Sequence, residues 1–255
     1  MRVAVMTPTF NERANIDEFV RRTRAAVPDA HIFVVDDASP DATGERVIEL
    51  AASDSLLSLV SRDGARGYAA ASRDGLARIS AQDFDAVVTI DCDLSHDPRD
   101  IPMLLEALSR GADVAIGSRY VPGGGVSNWP LSRRLLSRWG NWYTSLMLGL
   151  GVRDCTSGFR AYRSEVVRSG VVAATTSDGY SFLTEVLYRL RGGFVRADGV
   201  PAAPVPWHIT EVPIIYTERV AGESKMNKTI ISESMRRVTL WGLQRLMSQV
   251  QRRRR

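Results

Sequence analysis

The chain has 255 residues, 44% of them hydrophobic and 24% charged, with a net charge of +4 and two cysteines. That length and balance suit one large α/β domain with an appended element, and they exclude a disordered chain or a disulfide-built scaffold. No run approaches the ~18 apolar residues of a membrane span, and the first apolar segment breaks at Pro8, too early for the core of a signal peptide. A cytosolic location is expected, with Cys92 and Cys155 as inert thiols.

In chain order, Val3-Ala4-Val5-Met6 runs into Thr7-Pro8-Thr9-Phe10-Asn11-Glu12, and Asn15 precedes a helical pattern through Ile16, Phe19, Val20 and Val27. The plan repeats. Ile32-Phe33-Val34-Val35 ends at Asp36-Asp37, before a helix carrying Val47, Ile48 and Leu50. Leu57 to Val60 leads into Arg62-Asp63-Gly64-Ala65-Arg66-Gly67-Tyr68, whose glycines allow a ligand close to the backbone, then into an Ala-rich helix. The fourth strand, Asp85 to Ile90, delivers Asp91-Cys92-Asp93, and the fifth, Val114-Ala115-Ile116, ends at Gly117-Ser118-Arg119-Tyr120. Five strand–helix units predict a mostly parallel, doubly wound sheet whose carboxyl-end loops share one edge, the edge where open α/β sheets bind ligands.

Two carboxylates one residue apart at a buried strand's end can hold a divalent cation on a diphosphate, and oxygen-only ligands favour Mg²⁺ or Mn²⁺. On its own Asp-x-Asp is more often the signature of a solvated turn. The C-terminal half carries much of the positive charge. Residues 131–150 read as a helix mixing Arg133, Arg134 and Arg138 with Leu135, Leu136, Trp139, Trp142, Tyr143 and Leu146. A second helix places Met235, Val238, Leu243, Leu246, Met247 and Val250 among arginines that continue to Arg252–Arg255. That pattern fits either an interfacial helix on anionic lipid or an amphipathic helix packed on its own domain or a partner. Basic residues interleaved with Trp and Leu, with no nucleic-acid motif, argue against nucleic-acid binding.

Six blocks together give the chain a resemblance: Thr9-Phe10-Asn11-Glu12, Asp36 to Asp41, Asp91 to His96, Gly117 to Tyr120, Asp154 to Tyr162 and Gly222-Glu223-Ser224-Lys225. The chain resembles the inverting GT-A glycosyltransferases of family 2 over nearly its whole length, and within them the dolichol- or polyprenol-phosphate mannose synthases. One departure is the Pro-rich stretch from Ala203 to His208, which looks longer than the family's usual connection.

The resemblance implies a catalytic domain over 1–228, with a nucleotide-sugar half (1–120) and an acceptor half (121–228), followed by an amphipathic basic helix and tail over 229–255. It implies transfer of mannose from GDP-mannose to a polyprenyl phosphate, with UDP-glucose or another nucleotide sugar as the alternative donor. Asp91 and Asp93 would hold the metal. Thr7, Pro8, Thr9, Asn11, Glu12, Asp36, Asp37, Arg66, Gly67, Asp91, Cys92 and Asp154 would line the nucleotide-sugar site. Arg119 and Arg133, with Ser137 nearby, would grip the acceptor phosphate, and Arg219 and Lys225 would cover the diphosphate. Attachment to the cytoplasmic face of a membrane, with a membrane-embedded partner a further possibility, completes the expectation.

Several residues keep two readings. Asp37 either binds the nucleoside or caps the next helix, and for Asp41 the cap is preferred. Asp154 either orients the sugar or forms a buried ion pair with Arg119 or Arg160. The role of His96 stays open. Transfer to a hydroxyl acceptor would need a carboxylate base, for which Asp154 and Glu185 are the candidates.

Overall fold

The computed structural model describes residues 1–64, 66–179, 181–192, 205–218 and 232–247 in full, and the backbone alone of 194–195, 201–202, 228–231 and 248–253. The predicted units appear in order: β1 (Val3–Thr9), α1 (Ile16–Ala26), β2 (His31–Asp36), α2 (Thr43–Ala51), β3 (Leu57–Ser61), α3 (Tyr68–Ser80), β4 (Ala86–Thr89), α4 (Ile101–Ser109) and β5 (Val114–Ser118). The second half contributes β6 (Gly125–Val126), α5 (Leu131–Leu148), β7 (Arg160–Arg163), α6 (Ser164–Arg168), α7 (Ser181–Gly192), β8 (Phe194–Val195), β9 (Pro201–Ala202), β10 (Ile209–Pro213), β11 (Ile215–Tyr216) and α8 (Lys228–Arg253).

Among the described residues, seven strands form one sheet in the order β10-β5-β7-β4-β1-β2-β3. All neighbours run parallel except β7, which is antiparallel to both β4 and β5. β1 continues through Pro8 to Thr9, further than the apolar run predicts. Its pairing with β4 ends at Met6 opposite Thr89, so the missing N–H of Pro8 interrupts no ladder on that side.

Successive side chains of a strand face opposite ways, so each strand feeds two cores. Ala4, Met6, Val35 and Val87 join one apolar cluster, while Val5, Ile32, Val34 and Val88 join the other. On the first face α3 lies so near the sheet that a Cβ on Gly75 would stand 2.5 Å from the sulfur of Met6 and 2.7 Å from Val35. Only glycine fits there. β2 and β4 flank β1 and reach it from opposite directions along the sheet, so the crevice between the β1 and β4 ends is a topological switch point. The polar loops after β1, β2 and β4 open there.

Candidate active site

A cavity of about 510 Å³ sits at that switch point. Its walls are Pro8, Thr9, Phe10 and Glu12 after β1, Asp37 after β2, Arg66, Gly67, Tyr68 and Ala71 at the start of α3, and Asp91, Cys92 and Asp93 after β4. The far wall comes from Asp178, Gly179, Ser181 and Glu233, none of which the motifs single out. A signal for the first three is the Asp-Gly break just before the α7 pattern, and for Glu233 its being the sole acid between 229 and 255.

Asp93 is nearly buried, and its Oδ1 accepts from the Ser95 N–H (3.0 Å) and hydroxyl (2.6 Å). Gly158 lies beneath Asp91. A Cβ there would meet the Tyr68 hydroxyl at 2.6 Å and the Asp91 carboxylate oxygens at 3.5 and 3.6 Å, so the bare backbone lets ring and carboxylate converge. Burial pushes the Cys92 thiol well up, and the charges of Glu12, Asp93 and Asp91 push it further, which marks it as an inert thiol in an acidic setting. Cys155 is likewise buried and its thiol is pushed up to about 12. Among the described residues no group of three or more His, Cys, Asp or Glu side chains converges as a metal cage. A cavity-lining pair of carboxylates fits Mg²⁺ or Mn²⁺, which keep waters and substrate phosphates as their remaining ligands.

Of the other predicted nucleotide-site residues, Asp37 is tied to the Arg62 guanidinium and accepts from the Gly67 N–H (2.7 Å), so it fixes the start of α3 and caps no part of α2. Asp41 takes the cap-like role, accepting from the Thr43 N–H (3.1 Å) and the Arg13 N–H (3.0 Å). Arg66 lies over the Phe10 ring at 5.3 Å and forms a flat wall. Asp36 is buried and accepts from the Thr9 hydroxyl (2.8 Å) and from the Ser39 N–H and hydroxyl (2.9 and 2.6 Å), a role inside the loop. Thr7 is buried, Asn11 adopts φ 61° with its N–H donating to Ser39, and neither lines the cavity.

Asp154 is fully buried and away from the cavity wall. It accepts from the Arg119 N–H (3.1 Å), Nε (2.7 Å) and Nη2 (2.7 Å). Burial pushes this carboxyl up, but Arg119 outweighs it and holds the pKa below the usual carboxylate range. Arg160 takes no part: its guanidinium donates to the carbonyls of Ser157, Leu183 and Cys155. The Arg119 guanidinium is ringed by Tyr120 (5.3 Å), Tyr216 (5.5 Å) and Trp129 (5.9 Å). Arg133 lies over the same Trp129 ring at 4.0 Å and pairs with Glu218 at 3.2 Å. Ser137 accepts from the Tyr120 hydroxyl at 2.6 Å. Arg119, Arg133 and Ser137 are therefore gathered around one aromatic cluster. Arg219, Lys225 and the side chains of Arg252 to Arg255 lie outside the described residues.

The profile of glycosyl transferase family 2 matches residues 4–170, which hold both Asp91 and Asp93 and the Arg119–Asp154 pair. The chain belongs to glycosyl transferase family 2. Polyprenol monophosphomannose synthase of Mycolicibacterium smegmatis is 41% identical over 244 residues, covering 95% of this chain and 87% of its own. Undecaprenyl-phosphate mannosyltransferase of Micrococcus luteus is 42% identical over 247 residues, covering 95% of each. Glucosyl-3-phosphoglycerate synthase from Mycobacterium tuberculosis, solved with Mn²⁺ and uridine diphosphate, superposes with a TM-score of 0.63 at 21% identity, covering 96% of this chain and 79% of that one. That likeness is one of fold, and it establishes the GT-A architecture expected from the sequence.

In this family 2 glycosyltransferase α5 and α8 lie side by side. The Tyr143 hydroxyl meets that of Thr239 at 2.8 Å, Trp241 stacks on Tyr188 at 5.7 Å, and Val238 enters the core. α8 thus packs one face on its own domain. The outer faces expose Leu131, Leu135, Trp139, Trp142 and Leu146 on α5 and Leu240, Leu243 and Met247 on α8. No described helix is long and apolar enough to cross a membrane.

Proposed function

We propose that this glycosyltransferase moves mannose from GDP-mannose to a polyprenyl phosphate, inverting the anomeric centre, while resting on a membrane surface. The observation that carries the reading is the state of the two carboxylates the sequence offers as general bases. Asp154 is consumed by Arg119. Glu185 is buried and accepts from the N–H groups of Thr176 (3.0 Å) and Ser177 (2.7 Å) and from Arg189 (2.7 Å). Burial raises the Glu185 pKa, but Ser177 and Arg189 outweigh it and leave it lowered. Both stay ionised and occupied, a poor state for taking a proton from an acceptor hydroxyl.

A phosphate acceptor needs no such base. With a second pKa of about 6 it is largely dianionic at neutral pH and is already a nucleophile. The enzyme's work is then to hold two mutually repelling anions in line. Arg119 and Arg133 would receive the acceptor phosphate, the Thr9–Glu12 and Asp37–Gly67 walls would receive the nucleoside, and Arg219 and Lys225 would complete the cover over the diphosphate. Asp91 and Asp93 would hold Mg²⁺ or Mn²⁺, which supplies Lewis-acid stabilisation to the departing diphosphate. The exposed apolar stripe of α5 and α8, bordered by Arg133, Arg134 and Arg138, would lie in the lipid headgroup layer, an arrangement that favours anionic membranes.

Replacing Asp93 by Ala tests the reading. Transfer falls by at least about a hundredfold because the metal that would offset leaving-group charge loses a ligand, while the thermal transition persists, since the loop gives up the two Ser95 hydrogen bonds and no apolar core contact. Retained turnover in that variant would remove the proposed metal role.

A further inference from the structure

The indole of Trp129 is the least explained polar group near the two arginines. Only 8% of the residue is exposed, and its Nε1–H finds no acceptor among the described residues. Buried Trp N–H groups ordinarily have a partner, and one left without destabilises the fold that holds it. Its charged neighbours at close range are cations, which cannot accept. The Arg133 guanidinium lies 4.0 Å from the ring centroid and that of Arg119 lies 5.9 Å away, both drawn to the negative face of the π-system. Tyr216 meets the ring edge-on at 5.4 Å and closes the remaining side.

We propose that Trp129 is a specificity-determining residue of the acceptor subsite: its ring sets the spacing of Arg119 and Arg133, and its N–H donates to an oxygen of the acceptor's phosphate monoester. The inference rests on the reading of those arginines as the acceptor's cations. At present the anion on Arg133 is the half-exposed Glu218 carboxylate at 3.2 Å. Exposed pairs of this kind contribute little, so a dianionic phosphate displaces it readily. Drawing Arg133 off Glu218 uncovers the indole and brings an oxygen to its unmet donor. One dianion then satisfies two guanidinium groups and the N–H together. A neutral hydroxyl has neither the charge to draw Arg133 away nor oxygens enough for three donors, so the same residue selects a phosphate against an alcohol.

The test follows the indole N–H resonance of the ¹⁵N-labelled full chain that is missing from the Trp129→Phe spectrum, or from Trp129→Tyr should the first variant not fold. A water-soluble short-chain polyprenyl phosphate shifts this resonance downfield, and the matching polyprenol does not. An equal shift with the polyprenol, a shift with inorganic phosphate but none with the polyprenyl phosphate, or no shift at all overturns the proposal. Kinetics supply the second readout. Trp129→Phe raises the acceptor KM about tenfold, the loss expected of one hydrogen bond to a charged group, and leaves the GDP-mannose KM unchanged. An unchanged acceptor KM beside a raised one in Arg133→Gln contradicts the role of Trp129 but keeps the subsite. If Arg133→Gln also leaves it unchanged, the subsite reading itself has failed. A fall in thermal stability with both KM values moving together marks a merely structural residue and likewise overturns the proposal.

Discussion

At Asp154 a single carboxylate takes three donors from Arg119, and the loop that carries it is pinned from behind: Glu211 on β10 accepts from the Arg153 and Asp154 N–H groups at 2.8 and 2.9 Å. Removing one partner of a buried pair leaves an uncompensated charge, so Asp154→Asn is expected to destabilise the fold by about 3–5 kcal/mol. The pH dependence has a definite sign. Because the folded pKa lies below the ordinary 3.8, the pair's contribution is fully present above 3.8 and is lost as pH falls through the lower folded value. Thermal melts of wild type and variant therefore stay apart at neutral pH and converge only in strong acid; a gap that closes near pH 6 would show that another group governs it. The sequence exhibits the Arg119 and Asp154 motifs but leaves the partner of Asp154 open between two arginines. What decides it is β7, whose antiparallel course places Arg160 among backbone carbonyls and away from the carboxylate.

Among the elements, the five strand–helix units are legible because each pairs a short β-branched run with a helical apolar period, two patterns set by local geometry. β7 is not. Its four residues, Arg-Ala-Tyr-Arg, show no apolar run, and its place between β4 and β5 rests on long-range pairing, with Arg160 buried against three backbone carbonyls. The far wall of the cavity escapes for a related reason, since Asp178 and Glu233 come together only through the docking of α8 on the preceding helices. α5 and α8 are legible as amphipathic, but period alone does not say which face is covered. The packing does, and it leaves Leu135, Trp139, Trp142 and Leu146 outward. Substituting Trp142 and Leu146 by Ser is expected to lower binding to anionic liposomes about a hundredfold or more, since burying such side chains contributes about 1.5–3 kcal/mol each, while turnover in detergent is preserved. Liposome flotation beside a detergent assay separates the two quantities. Equal loss in both would place these residues in the catalytic machinery instead.

Across the whole molecule the sheet does one thing for function: it delivers the Asp91–Asp93 carboxylates from the end of β4 and Arg119 from the end of β5 to the same edge, where α5 adds Arg133. The acidic side suits a cation-bound diphosphate and the basic side a free phosphate, and the two carboxylates that the sequence offers as base for a hydroxyl acceptor are both spent on structure. Transfer of labelled mannose puts that division of charge to the test. The full chain in detergent is given GDP-mannose and polyprenyl phosphate with Mg²⁺ or Mn²⁺, and a parallel sample receives chelator. The expected result is label in the organic phase that disappears with chelator, and none when the free polyprenol replaces its phosphate. Label on the polyprenol, or transfer indifferent to chelator, would contradict it.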